Sequence, residues 1–349
     1  MTAVLEITDL STHIQLTKSV VQAVGNVDLT IEPGETLGLV GESGCGKSMT
    51  GLSVMGLLPP GGSIVSGSVK LDGRELVGLS DAEMRKIRGN EIAMIFQDPL
   101  TSLDPTKTIG YQVAEPVRLH KRTSKAAAMA RATEVLGLVG LPRPAERLGD
   151  YPHQLSGGMR QRVMIAIALS CEPKLLIADE PTTALDVTIQ AQILALIKKL
   201  RDDYGTSVVL ITHDMGVVAD IADRVAVMYA GRIVEQGSLR SVFYDAEHPY
   251  TWGLLGSIAR LDRPRPPRLT AIKGTPPSLI HLPQGCAFGP RCPYRFDLCT
   301  EVPSLENRLG NGHLDACHLD PERKRDLRET AIHPELAGRG QPELTEESR

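Results

Sequence analysis

The chain has 349 residues with 38 basic and 42 acidic side chains, a formal charge of −4, and 42% hydrophobic and 23% charged residues. That composition describes a globular protein with room for one large domain and an appendage, and the lack of a basic excess excludes an overall electrostatic footprint for nucleic acid. The longest apolar run, Val163–Leu169, is far shorter than the roughly 20 residues that span a bilayer, and no basic flank with an apolar stretch opens the chain, so no membrane span or signal peptide is expected and a cytosolic protein is read.

Residues 4–10 and 23–31 alternate apolar with polar, as a half-buried antiparallel hairpin does, and Pro33-Gly34 turns the chain out of it. Thr36–Val40 reads as a short buried strand, and Met49–Leu58 has helix-forming character. Pro59-Pro60-Gly61-Gly62 breaks the chain before a further strand and turn at 66–73. A buried strand at 91–97 ends on Gln97. From Thr101 to about Ser170 the periodicity is helical, with Ser124 as the cap of a helix reaching Leu138 and Gly157-Gly158 opening another that reaches Leu169. Strands follow at 174–178 and 207–212, separated by an amphipathic helix at 188–204, and Ala230-Gly231 joins a last hairpin of residues 224–229 and 232–235. This alternation predicts an α/β fold with a mainly parallel sheet, and the stretch Gly41-Glu42-Ser43-Gly44-Cys45-Gly46-Lys47-Ser48 between a strand and a helix makes its core one of the P-loop NTPase (RecA-like) kind. Residues 1–97 and 171–240 form that core with an antiparallel β subdomain, and 98–170 form an inserted helical subdomain. The 241–325 segment is a small Pro- and Cys-rich extension, with prolines crowded at Pro264, Pro266, Pro267, Pro276 and Pro277, and reads as a strap rather than a packed core. The charged tail, 326–349, is expected to fray.

Between the strand at 36–40 and the helix after it lies Gly41-Glu42-Ser43-Gly44-Cys45-Gly46-Lys47-Ser48, a full match to G-x-x-x-x-G-K-[ST]. Glycines let the backbone turn its N–H groups inward on an anion, and the helix N-terminus adds a favourable dipole. Lys47 is placed to reach β- and γ-phosphates and the Ser48 hydroxyl to ligate Mg²⁺. Asp179 and Glu180 end a strand on the edge where open α/β sheets bind ligands. Asp179 suits the surroundings of the Mg²⁺ ion, and Glu180 suits proton acceptance from an attacking water. Ser156-Gly157-Gly158, at a helix start, is a second anion-binding candidate.

Leu155-Ser156-Gly157-Gly158-Met159 followed by Arg160-Gln161-Arg162-Val163 resembles the signature motif of ATP-binding cassette (ABC) ATPases. The other family elements follow in order, with Gln97 as the Q-loop, Ala184-Leu185-Asp186 as the D-loop and His213 as the switch histidine, and the resemblance spans residues 4–240. Two departures stand out: Met159 replaces the usual Gln, and His13-Ile14 lies where an adenine-stacking aromatic is usual, so adenine is assigned to Ile14 or His13. The resemblance implies ATP and Mg²⁺ as cofactors, with Gly41–Ser48 and Met49 on the nucleotide and Ser48, Gln97 and Asp179 around the metal. Glu180 is then general base, His213 positions γ-phosphate and water, and Gln97 senses the metal and the transporter interface. It further implies a head-to-tail dimer in which the signature of one subunit completes the ATP site of the other.

Cys286, Cys292, Cys299 and Cys317 fall close together near the end of the chain. In a reducing compartment that pattern favours a metal over disulfides. The spacing, wider than a zinc knuckle, and the Cys292-Pro293 step favour a 4Fe–4S cluster, with Zn²⁺ or unligated thiols as alternatives. This stretch, with His248-Pro249-Tyr250-Thr251 and Gly274-Thr275-Pro276-Pro277 ahead of it, resembles the C-terminal extension of oligopeptide/dipeptide importer ATPases. The expected protein is the ATPase subunit of a peptide-type importer on the cytoplasmic face of the inner membrane. Its partners are a second cassette subunit, two permeases that dock near Leu100–Val117 and, indirectly, a solute-binding protein. An ATPase for nickel or oligosaccharide import shares these motifs. A soluble cassette acting on DNA or ribosomes is disfavoured by the absence of sustained heptads and of a basic arm.

Overall fold

The computed structural model describes residues 2–182, 186–257 and 272–332. The first alternating stretches fold as β1 (Leu5–Gln15) and β2 (Val20–Ile31), paired antiparallel. The all-buried β3 (Thr36–Val40) leads through the glycine-rich loop into α1 (Lys47–Met55). Then come β4 (Gly62–Leu71), β5 (Arg74–Glu75), α2 (Asp81–Ile87) and β6 (Ile92–Ile95). The helical insertion comprises α3 (Pro99–Ser102), α4 (Ile109–Lys121), α5 (Lys125–Leu138), α6 (Pro144–Arg147) and α7 (Gly157–Leu169). It is followed by β7 (Leu175–Asp179), α8 (Val187–Tyr204), β8 (Ser207–Thr212), α9 (Met215–Ile221), β9 (Arg224–Tyr229) and β10 (Arg232–Ser238). The last elements among the described residues are α10 (Leu239–Tyr244), α11 (Pro249–Gly256), β11 (Leu314–Asp315) and α12 (Pro321–Ile332).

β2, β1, β4 and β5 form a four-stranded sheet, and a seven-stranded sheet runs β11-β10-β9-β3-β8-β7-β6. In the larger sheet β9, β3, β8, β7 and β6 are mutually parallel, and β10 and β11 add antiparallel at one edge. Parallel strands covered on both faces read as unbroken apolar runs, as β3, β7 and β8 do. One apolar cluster joins the helical insertion to one side of this sheet and includes Tyr250, Trp252, Phe288 and Cys317 from the extension. A second lies between the antiparallel sheet, α1 and α2.

Several sequence expectations shift. β4 begins at Gly62, inside the expected break, because β1 continues to Gln15 and pairs with it as far as Ile14↔Gly62. Helix α2 was not anticipated, although Ser80 and Glu83 form a full capping box at its start. The extension is not a strap lying free of the core: β11 pairs with β10 through Glu235↔Asp315 and Gln236↔Leu314, and Phe288 is 3% exposed. Residues 326–332, expected to fray, are helical within α12, whose Lys324 is fully buried against Asp315 and Glu247. The prolines at 264, 266 and 267 and the tail beyond 332 lie outside the described residues, as do Ala184 and Leu185.

Candidate functional site

Four adjacent parallel strands end at one edge of the large sheet, and each hands the chain to a residue with chemistry. β3 leads to the glycine-rich loop, β8 to His213, β7 ends on Asp179 with Glu180 next, and β6 stops two residues before Gln97. Register aligns these ends, since Val40 pairs with Thr212, Asp179 with Ile211 and Ile95 with Ala178. This is the edge at which open α/β sheets bind ligands.

The loop is shaped by backbone crossings that exclude side chains. Gly41 has φ +154, and a Cβ there would stand 2.2 Å from the Met228 carbonyl oxygen. Gly46, the residue before α1, has φ +111, and its Cβ would lie 2.4 Å from the Ala23 carbonyl oxygen. Lys47 is buried and curls over the loop, donating to the carbonyl oxygens of Gly41 at 2.7 Å and Glu42 at 3.1 Å. Cys45 turns inward and is 5% exposed, and burial pushes its thiol pKa up. Ser43 and Gly44 are exposed, and Met49 packs half-buried against the second apolar cluster.

Ser48 Oγ donates to Asp179 Oδ1 at 2.9 Å. Burial pushes the Asp179 carboxyl up, and neighbouring Glu180 adds to this, while the Ser48 hydrogen bond and the Lys47 charge oppose it. A carboxylate and a hydroxyl so paired suit Mg²⁺, which takes one or two protein carboxylates and completes its shell with phosphate and water oxygens. Glu180 sits at φ 46, an uncommon left-handed conformation for a non-glycine residue. Its N–H donates to the Ile211 carbonyl at 2.8 Å. Its carboxylate accepts from Gln97 Nε2 at 2.9 Å and lies 3.1 Å from His213 Nδ1. Three of the expected residues thus meet around one carboxylate.

The signature residues begin α7. Ser156 is its N-cap and accepts from the Met159 N–H at 3.4 Å, leaving Gly157 open on the surface. Leu155 is buried, while Gly158 faces Ile189 of α8. Gln161, one turn on and buried, donates to the Pro181 carbonyl at 2.6 Å, so the helix that carries the signature is bonded to the residue after Glu180. Asp186 caps α8 by accepting from Ile189 at 2.9 Å. Ile14 is half-buried in β1, opposite Val21.

The cysteines gather without forming a metal site. Cys286 N–H donates to the Cys299 carbonyl at 3.0 Å. Burial pushes the Cys292 thiol up to about 11, with Cys286 and Cys299 adding to the shift, and the Cys317 thiol up to about 12, with a contribution from Cys292. Among the described residues no group of three or more His, Cys, Asp or Glu side chains is placed to hold a metal ion. The expectation of a 4Fe–4S cluster, and of Zn²⁺ in its place, therefore has no support in this geometry.

Sequence reasoning missed the residues that brace the loop from behind. The Glu42 N–H donates to the Tyr250 hydroxyl at 2.8 Å, and the Glu42 carboxylate receives both Nη atoms of Arg291. These partners are 208 and 249 positions away in the chain, and no local spacing signals them.

The loop, the paired serine and aspartate and the polar triad at the strand ends define a P-loop nucleotide-binding protein. Residues 24–183 match the ABC transporter family model, and residues 234–299 match that of the oligopeptide/dipeptide transporter C-terminal region. The dipeptide transport ATP-binding protein DppD of Bacillus subtilis is 52% identical over 93% of this chain and 96% of its own length. The oligopeptide transport ATP-binding protein OppD of Escherichia coli is 50% identical over 90% and 93%. Among solved structures, a dimeric ATP-binding cassette in a post-hydrolysis state bound to ADP and Pi aligns with TM-score 0.62 and 32% identity, covering 68% of this chain and 99% of the other. The chain belongs to the ATP-binding proteins of ABC transporters, in the oligopeptide/dipeptide group.

Proposed function

We propose that this protein hydrolyses ATP to drive the import of dipeptides or oligopeptides through membrane-spanning partner subunits. The observation that carries the chemistry is the convergence of Gln97 and His213 on Glu180, beside the Ser48–Asp179 pair and the glycine loop. The peptide class is supported by the relatives named above and by the match over residues 234–299.

In this reading the N–H groups of the 41–48 loop and the Lys47 ammonium hold the triphosphate, and Ser48, Asp179 and Gln97 would hold a Mg²⁺ ion, which would offset charge on the phosphates. Lys47 leaves the Gly41 and Glu42 carbonyls as it engages phosphate. Glu180 takes a proton from water, and His213 and Gln97 orient the carboxylate and the γ-phosphate. Ser156, Gly157 and Gly158 serve the ATP of a second cassette subunit, with Asp186 at that interface, and Ile14 contacts adenine. The segment near Leu100–Val117 in the 98–170 subdomain docks two permeases at the inner face of the cell membrane. No helix among the described residues is long and apolar enough to cross a membrane, in keeping with a subunit that acts through spanning partners. The cysteine-bound cluster is a finer claim that rests on the four-cysteine pattern of the sequence alone, and no step is derived through it. Anaerobic purification tests it: iron and sulfide with a visible charge-transfer band establish it, and a colourless, metal-free protein removes it.

The function is tested by co-purifying the chain with its membrane partners and measuring ATP turnover and peptide uptake in vesicles. Uptake that requires ATP and an intact Glu180 supports the reading, and uptake of nickel or oligosaccharide instead of peptide overturns its substrate half.

A further inference from the structure

Glu42 brings a carboxylate into a loop that receives a polyanion. Like charges in so small a space repel, so this carboxylate needs a partner for the loop to hold a triphosphate well. Its partner comes from the C-terminal extension. Arg291 Nη1 and Nη2 donate to Glu42 Oε2 at 2.6 Å and Oε1 at 3.0 Å, a parallel two-bond fork that fixes orientation as well as charge. The Arg291 side chain is 4% exposed and that of Glu42 28%, so the pair is only partly screened by water.

The guanidinium is itself anchored by both the extension and the core sheet. Arg291 Nε donates to the Lys273 carbonyl at 3.0 Å and Nη1 to the Tyr229 hydroxyl at 3.3 Å. The backbone N–H groups of Arg291 and Cys292 both donate to the Phe288 carbonyl, at 2.9 and 3.0 Å, which holds the turn that aims the side chain. Tyr229, Tyr250 and Phe288 pack as a three-ring platform with centroids 4.6 to 5.5 Å apart. From this platform the Tyr250 hydroxyl accepts the Glu42 N–H at 2.8 Å. Backbone and carboxylate of one loop residue are thus both held by the extension.

We propose that Arg291, seconded by Tyr250, is a positioning residue for nucleotide binding: it holds Glu42, and with it the phosphate loop, in the ATP-receiving conformation and neutralises the carboxylate beside the triphosphate. The proposal rests on the reading of residues 41–48 as the phosphate loop. It makes the extension part of the nucleotide site, where a docking staple would contribute only to the stability of the nucleotide-free protein.

The test measures MgATP affinity by titration calorimetry on the full chain, alongside thermal unfolding without nucleotide. Arg291→Gln leaves an unpaired carboxylate at the loop and is expected to weaken MgATP binding about tenfold, as for loss of a charge-assisted hydrogen-bonded pair. Arg291→Lys keeps the charge without the fork and recovers part of the loss. Combining Arg291→Gln with Glu42→Gln removes the stranded charge, so the double variant binds no more weakly than Glu42→Gln alone. Wild-type affinity in Arg291→Gln, with only its unfolding temperature lowered, overturns the proposal, as does a double variant whose losses add. Should Arg291→Gln not fold, Tyr250→Phe removes only the hydroxyl that accepts the Glu42 N–H, and the same weakening against unchanged affinity decides. Failure of the wild-type chain to bind MgATP, or binding indifferent to Lys47→Ala, would instead remove the phosphate-loop reading itself.

Discussion

The sharpest stability prediction concerns two glycines of one loop that differ in what surrounds them. At Gly46 an added Cβ meets the Ala23 carbonyl at 2.4 Å, the Met228 methyl at 3.2 Å and the Gly231 Cα at 3.3 Å, with φ at +111. At Gly44 φ is +77 and nothing lies within 4 Å. Gly44→Ala therefore incurs only backbone strain, of order 1 kcal/mol. Gly46→Ala adds a collision with main chain of β2 that cannot rotate away, and overpacking of that kind costs about 1–3 kcal/mol more. The two variants should differ by about 1–3 kcal/mol, which at roughly 2–4 °C per kcal/mol is a readily measured gap in unfolding temperature. Differential scanning calorimetry without nucleotide isolates this effect from any change in phosphate binding. Equal unfolding temperatures for the two variants would refute the argument that β2 crossing over the loop is what demands glycine at position 46.

Glu180→Gln should lower ATP turnover by about 10²-fold or more while MgATP binding persists, since it keeps shape and removes proton acceptance; unimpaired turnover would end the general-base assignment. Lys324→Ala, at a fully buried ammonium 2.5 Å from Asp315, strands buried carboxylates and should destabilise by about 3–5 kcal/mol in urea unfolding, whereas a truly frayed tail predicts no effect. His313 is paired to Glu235 at 2.8 Å; burial alone lowers its pKa, but the hydrogen bond and charge of Glu235, with Glu247 and Asp315, outweigh burial and the net shift is upward. A raised histidine stabilises fully below its unfolded value of about 6.5 and loses that contribution as pH rises through the folded value. Stability should accordingly fall from near-neutral to alkaline pH, and His313→Gln should flatten that part of the profile measured by urea unfolding at several pH values.

Motifs whose partners lie next to them in the chain were legible. Gly41–Ser48 announces its chemistry because a strand, a turn of glycines and a helix N-terminus are contiguous, and the Ser124 cap was readable because its acceptor role is satisfied three residues on, by the Ala127 N–H. The capping box of α2 is a local signal of the same kind, at Ser80 and Glu83. Prolines and a low apolar count give the extension the look of a loose strap because they describe its local backbone, and say nothing of the sheet edge that β11 completes or the aromatic platform that Phe288 joins. The cysteine spacing pointed to a metal, but spacing along an irregular chain does not dictate how thiols face one another.

By itself the order of residues determined which groups the candidate site can offer: a glycine loop with Lys47 and Ser48, a strand ending in Asp179 and Glu180, and a helix opened by Ser156. Those are short-range facts, dictated by dihedral freedom, capping and strand periodicity. Only the tertiary structure decided that Gln97 and His213 meet on Glu180, because their strands are neighbours in a parallel sheet whose order does not follow the chain. It alone decided that Glu42 is held by Tyr250 and Arg291. Partners so distant in sequence are brought together by burial of the faces between them, and that burial belongs to the fold as a whole.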